Sequence, residues 1–122
     1  MTSLAQLVST SQRVSAASAR LTKVRELSSL LKALASDEIE TVVHYLSGEL
    51  PQGRIGISYK ALRAAAQTAA DQPALSIAEV DRSLAVIAEI RGSGSAAQRA
   101  QALAVLFSRA TPVEQEFLIR LF

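Results

Sequence analysis

The sequence predicts an all-α fold: about seven helices in pseudo-repeated hairpins, forming a single domain over residues 1–122. Three observations lead there. Hydrophobic residues make up 49% of the chain but aromatics only 4%, so the core must be built from Leu, Ile, Val and Ala, a mix that favours helices over strands. The apolar residues recur every three or four positions. Serine and threonine cap signals stand ahead of several of these runs, and no segment alternates as a strand would.

The first helix is expected from about Ser3 to Ser18, with Leu4, Leu7, Val8 and Val14 as its apolar positions. The second, about Leu21 to Leu34, sets Leu21, Val24, Leu27, Leu31 and Leu34 on one face. Ser36 is placed to cap a third helix, with Asp37 and Glu38 at the positive end of its dipole and Ile39, Val42, Val43 and Leu46 facing inward. A loop rich in glycine follows, GELPQGRIGIS. Ser58 then opens a fourth helix, Tyr59 to about Ala70, which Gln72-Pro73 interrupts. Ser76 and Glu79 have capping-box spacing and start a fifth, about Ile77 to Arg91. GSGS at 92–95 separates it from a sixth helix, capped by Ser95, that carries Leu103, Leu106 and Phe107 inward. Thr111, Pro112 and Glu114 supply cap, first-turn proline and third-position acid for a seventh. The closing EQEFLIRLF reads as a helix cut short inside an apolar run, and Phe117, Leu118, Leu121 and Phe122 are expected to form an exposed surface that favours self-association.

The second and third helices repeat in the sixth and seventh. With Leu27 aligned on Leu103, Leu30 meets Leu106, Leu31 meets Phe107, Glu38 meets Glu114 and Glu40 meets Glu116, without a gap. Such a pattern leads one to expect a further glycine loop beyond Phe122, and hence a longer natural chain.

Several function classes lose support. The absence of cysteine removes disulfides, thiolate metal sites and thiol nucleophiles. His44, the sole histidine, has no partner with which to hold a metal. No GxSxG, Walker-type loop or GxGxxG is present, so no self-contained active site or cofactor site is expected. No apolar run is long enough to span a membrane.

The two glycine loops remain. Ten of the thirteen cations are arginine, whose planar fork suits phosphate. Each loop runs into a helix start, where unpaired N–H groups and the dipole favour an anion, and glycine lets a backbone approach a phosphate closely. Arg54 and Lys60 flank the first loop; Arg91 and Arg99 flank the second, with Arg99 about one turn into its helix. Several such sites on one face would grip a row of phosphates without reading bases. Glycines that merely end the preceding helices remain an alternative, as does a helical-repeat module that binds another protein.

Three blocks, ASARLTKVRELSSLL, YLSGELPQGRIGISYKAL and IRGSGSAAQRAQALAVLFSRATPVEQEFLIRLF, together resemble the N-terminal DNA-binding domain of ATP-dependent DNA ligases of the bacterial branch. The resemblance covers nearly the whole chain. It implies an all-helical domain that grips the minor groove of nicked duplex on both sides of the nick, independent of sequence, in the bacterial cytoplasm. It also implies that nick sealing, with ATP and Mg2+, belongs to later nucleotidyltransferase and OB-fold domains, because the lysine motif KxDG is absent here. The positions it points to are Gly53, Arg54, Gly56, Ser58 and Lys60 in the first loop and Gly92, Ser93, Gly94, Ser95 and Arg99 in the second. Arg20 and Lys23 at the start of the second helix are further candidates, for which a solvated face is an equal explanation.

Overall fold

Ser3 opens the first helix, α1 (Leu4–Ala16): its Oγ accepts from the Gln6 N–H at 3.1 Å while the Gln6 side-chain oxygen accepts from the Ser3 N–H at 3.0 Å. Such reciprocal capping satisfies two donors that the helix geometry orphans. The computed structural model describes residues 2–122. After α1 come α2 (Arg20–Ala33), a 3-10 turn (Ser36–Glu38) leading directly into α3 (Ile39–Leu46), α4 (Tyr59–Ala65), α5 (Ile77–Ala88), α6 (Ser95–Ser108) and α7 (Pro112–Ile119). Among the described residues there is no strand, only an isolated antiparallel bridge between Ser3 and Ser76. Among the described residues no helix is long and apolar enough to cross a membrane.

The capping signals at Ser58, Ser76 and Thr111 form as expected, the last two as full capping boxes with Glu79 and Glu114. Several expectations change, among them the cap at Ser36, which lies inside the 3-10 turn with Ala35 at the cap position. The fourth helix stops at Ala65 instead of near Ala70, because the next residues are recruited by the second hairpin. There the Thr68 carbonyl accepts from Gln115 Nε2 at 2.8 Å and the Ala70 N–H donates to Ala110 O at 2.9 Å. The fifth helix ends at Ala88, short of Arg91.

A further change concerns α2. Of its hydrophobic residues only Leu30 is buried, at 6% exposure; Leu21 is 76% exposed, Val24 51% and Leu31 38%. Spacing shows that a stripe exists, but a stripe is covered only where another element packs, and α2 packs chiefly on α1.

The closing residues are corrected in the opposite direction. Phe117, Leu118 and Leu121 lie in the core and Phe122 packs against it, so they present no exposed surface for self-association. Exposed apolar side chains cluster instead on α2 and α3, at Leu21, Val24, Leu31, Ile39 and Val43.

The repeat seen between the hairpins extends to three helices on each side. Thr2 O accepts from the Ile77 N–H and Leu75 O accepts from the Leu4 N–H, both at 3.0 Å, joining the two N-cap segments antiparallel. From this junction the chain divides into α1–α2–α3 and α5–α6–α7. α1 packs on α2 as α5 packs on α6, and α1 packs on α7 as α5 packs on α3. The units are thus related by an approximate two-fold through the Ser3–Ser76 bridge. Buried positions correspond: Leu30 with Leu106, Val42 with Leu118 and Tyr45 with Leu121. Even the buried acids match. Glu38 Oε1 accepts from the Ala35 N–H at 2.9 Å, and Glu114 Oε1 from the Thr111 N–H at 2.8 Å. Glu38 also accepts from the Thr2 N–H and hydroxyl, both at 2.8 Å, tying the N-terminus to the first hairpin. The donated backbone N–H groups of Thr2 and Ala35 hold its carboxyl below the usual glutamate range, overcoming the opposing effect of burial.

Candidate nucleic-acid interface

The first glycine loop is a fixed scaffold with a mobile-looking sequence. Leu50 O accepts from the Gly53 N–H at 2.9 Å, closing a tight turn that leaves Gly53 at φ +73°, where a side chain would be strained. Gln52 Nε2 donates to Asp81 Oδ1 at 2.8 Å, which moors the turn to α5. Ile55 is buried in the core. These anchors push Gly53 and Arg54 out at the tip, both exposed, followed by exposed Gly56, Ser58 and Lys60. Ser58 Oγ accepts from the Ala61 N–H at 3.2 Å, so the seven-residue α4 already uses its own cap. The first loop therefore offers side-chain charge, Arg54 and Lys60, more than a helix start.

The second loop behaves differently. Gly94, at φ +75°, takes the N-cap position that the sequence assigned to Ser95, and Ser95 becomes the first helical residue of α6. The reason lies in Arg99. Its Nη1 donates to Ser95 Oγ at 2.9 Å and to Ile90 O at 3.0 Å, and its Nε donates to Gly56 O at 3.1 Å. The half-buried guanidinium thus points back into the protein and staples the two glycine loops together. Only Nη2 is left without a described partner. Arg99 is brought to both loops, as its spacing suggested for one, but as their tie.

With Ser95 diverted and glycine at the cap, α6 has no side-chain cap. The Ser95 and Gln98 N–H groups bond to Gly92 O and Gly94 O, while those of Ala96 and Ala97 have no described partner. Gly92, Ser93 and Arg91 are exposed beside them.

α2, the two-fold counterpart of α6, also starts without a side-chain cap, at Ala19. α1, α4, α5 and α7, by contrast, all begin with a Ser or Thr oxygen accepting from the first turn. Neither α2 nor α6 has an acid in its first turn, and each has a cation there instead or one turn in: Arg20 and Lys23 in α2, Arg99 in α6. A cation near a helix start opposes the dipole and is favourable when an anion joins them. Arg20 and Lys23 are exposed, and no described hydrogen bond or ion pair ties them to the glycine loops.

The ion pairs sort the arginines further. Arg13 pairs with Glu26, Arg63 with Glu116 and Arg109 with Glu79, at 2.8–2.9 Å. The Arg63 and Arg109 guanidiniums hold the Glu116 and Glu79 carboxyls below their ordinary range. Arg20, Lys23, Arg54, Lys60, Arg91 and Arg99 have no carboxylate partner among the described residues. The charge near the loops and at the α2 start is thus unneutralised, as phosphate binding requires. No group of three or more His, Cys, Asp or Glu among the described residues is placed to hold a metal ion.

The model of the DNA ligase N terminus matches residues 52–122, from the first glycine loop through α7. The chain belongs to this family. Among curated relatives, a probable DNA ligase of Rhodococcus opacus (strain B4) is 47% identical over 116 residues, covering 95% of this chain and 23% of the relative. A probable DNA ligase of Anaeromyxobacter sp. (strain Fw109-5) is 47% identical over 120 residues, covering 97% and 23%. DNA ligase B of Mycobacterium tuberculosis (strain CDC 1551 / Oshkosh) is 48% identical over 114 residues, covering 92% and 22%. The chain therefore spans about a quarter of the length of these relatives. No solved structure matches it significantly.

Proposed function

We propose that this domain grips the sugar-phosphate backbone of duplex DNA without reading bases, as the N-terminal DNA-binding part of an ATP-dependent ligase acting on nicks. The observation that carries the reading is the pair of two-fold-related, uncapped, basic helix starts, one of them stapled by Arg99 to the exposed Arg54 loop. A duplex has two antiparallel backbones, and a two-fold protein can offer each strand an equivalent set of N–H groups and cations. The grip would be electrostatic and sensitive to salt. Sealing itself would fall to the parts of a ligase that use ATP and magnesium, which this reading places outside the domain.

The test is a titration of the chain against nicked and intact duplexes of one sequence at rising salt, with the Arg54→Ala/Arg91→Ala double variant. Each phosphate contact removed should lower the slope of log affinity against log salt by about 0.9, so the double variant should lose up to about 1.8. Absence of binding at low salt, or an unaltered slope in the double variant, overturns the proposal and returns the helical-repeat protein-binding reading.

A further inference from the structure

The two units carry one hollow each, in the same place and with opposite chemistry. Each lies between the first two helices of its unit, α1–α2 or α5–α6, and the volumes are alike, about 440 and 450 Å³. Each has a buried leucine in its lining, Leu30 in the first and Leu106 in the second. In the first, Arg13 reaches across to Glu26 at 2.9 Å, so the chain's own charges close it. In the second, Val86 and Ala102 take those two places, and Val105 takes the place of Ser29. Val86 and Val105 stay 65% and 64% exposed. A lone exposed valine is ordinary; two on one groove beside buried Ile87 and Leu106 make an apolar patch. The rim differs as well. Ser9 and Ala33 of the first hollow give way to Arg82 and Arg109 in the second. Arg109 Nη2 donates to Glu79 at 2.9 Å, which brings the end of α6 beside the start of α5 and sets both arginines at one end of the groove. Arg109 Nε and Nη1 have no described partner, Arg82 is exposed without a carboxylate among the described residues, and no acid lines the groove.

We infer that the α5–α6 groove docks a short acidic amphipathic helix of a partner protein, its apolar side chains on Val86, Val105 and Leu106 and its carboxylates against Arg82 and Arg109. A groove between two packed helices accepts the apolar stripe of a third. The cationic end, with no acid in the lining, favours an acidic sequence and repels a basic one. Charge also decides against a second copy: the exposed amphipathic helix of this chain is α2, whose Arg20, Lys23 and Arg25 would meet Arg82 and Arg109 as like charges. Nucleic acid is a poor occupant, because the valines and Leu106 offer phosphate nothing. The charged end also lies at the far end of α6 from Gly92 to Ser95, roughly 20 Å along a helix of 14 residues. A docked partner and the glycine loops therefore do not compete.

The probe is a labelled synthetic helical peptide of about 16 residues, with leucines at i, i+3 and i+7 and two glutamates one turn before the first leucine. A second peptide carries lysines in place of the glutamates. Fluorescence anisotropy gives affinity for the 122-residue chain, and methyl NMR of Val86 and Val105 gives the place. The acidic peptide should bind saturably and move both valine signals, and the basic one should bind at least about tenfold more weakly. Arg82→Glu should reverse that preference, and Val105→Ser should weaken both peptides about tenfold; both sites are exposed, so Tm should stay within about 2 °C. No saturation by about 1 mM, equal binding of the two peptides, or an unchanged preference in Arg82→Glu overturns the inference. So does displacement of the peptide by a DNA duplex, which assigns the arginines to phosphate. Valine signals that shift with concentration in the chain alone assign the groove to a second copy. Loss of peptide binding when this chain is joined to the remainder of the Rhodococcus opacus relative assigns it to a later part of a ligase; either result overturns the inference.

Discussion

Replacing Arg99 with methionine keeps the aliphatic stem and removes the guanidinium, so it tests the loop staple directly. Three donations are lost: to Gly56 O, Ile90 O and Ser95 Oγ, at 2.9–3.1 Å. A buried hydrogen bond to a charged group contributes about 1.5–3 kcal/mol, but this one is half-buried and water replaces part of each bond. About 0.5–1 kcal/mol per bond is then appropriate, or roughly 2 kcal/mol in all. For 122 residues the unfolding entropy is about 0.26 kcal/mol/K, so Tm should fall by about 8 °C. Calorimetry gives the shift, and amide exchange locates it: protection should drop at Ile57 and at Ser95 while the α1–α2 pair is unaffected. DNA affinity should also fall, because the two loops lose their spacing. The salt slope should change by less than about 0.9, since the guanidinium is spent on carbonyls more than on phosphate. An unchanged Tm with unchanged exchange would refute the staple. A Tm loss with the slope reduced by a full phosphate contact would show that Arg99 reaches DNA as well.

Other consequences follow from the same geometry. Gly53→Ala should cost about 1–2 kcal/mol, because Gly53 sits at φ +73°, whereas Gly56→Ala should change stability by less than about 0.5 kcal/mol, since its Cβ would meet Arg99 Nη2 at an ordinary 3.6 Å; paired thermal melts compare them. Glu38 is held below its ordinary pKa of 4.5, so its contribution is complete above that value and is lost as pH falls through the depressed one. Glu38→Gln should therefore lower Tm at pH 7 and flatten the fall of Tm between about pH 5 and pH 3; parallel losses in both proteins would sink that assignment.

The legible part of the site was its local part. The glycine loops, the caps at Ser58, Ser76 and Thr111, and the unneutralised Arg54 and Lys60 could all be placed from the chain, because a cap and its helix are set by residues within one turn. Ser95 was misplaced because its hydroxyl is claimed by Arg99, a competition that spacing alone does not reveal. The uncapped start of α2 left a readable trace, an alanine at position 19, but its importance emerged only from its two-fold relation to α6. The buried Ile55 that anchors the first loop carried no periodic signal, since it belongs to no helix.

By itself the sequence determined the helical class, the order of the helices, most of their starting residues and the repeat between hairpins. These follow from side-chain chemistry acting over three or four residues. Tertiary structure decided which apolar stripe is core and which is surface. Leu31 and Phe107 share a place in the repeat, and only the presence of α4 beside one of them separates their fates. It also decided what Arg99 does, through partners 43, 9 and 4 residues away. Burial and the aim of a long side chain depend on neighbours that the chain brings together only when it folds.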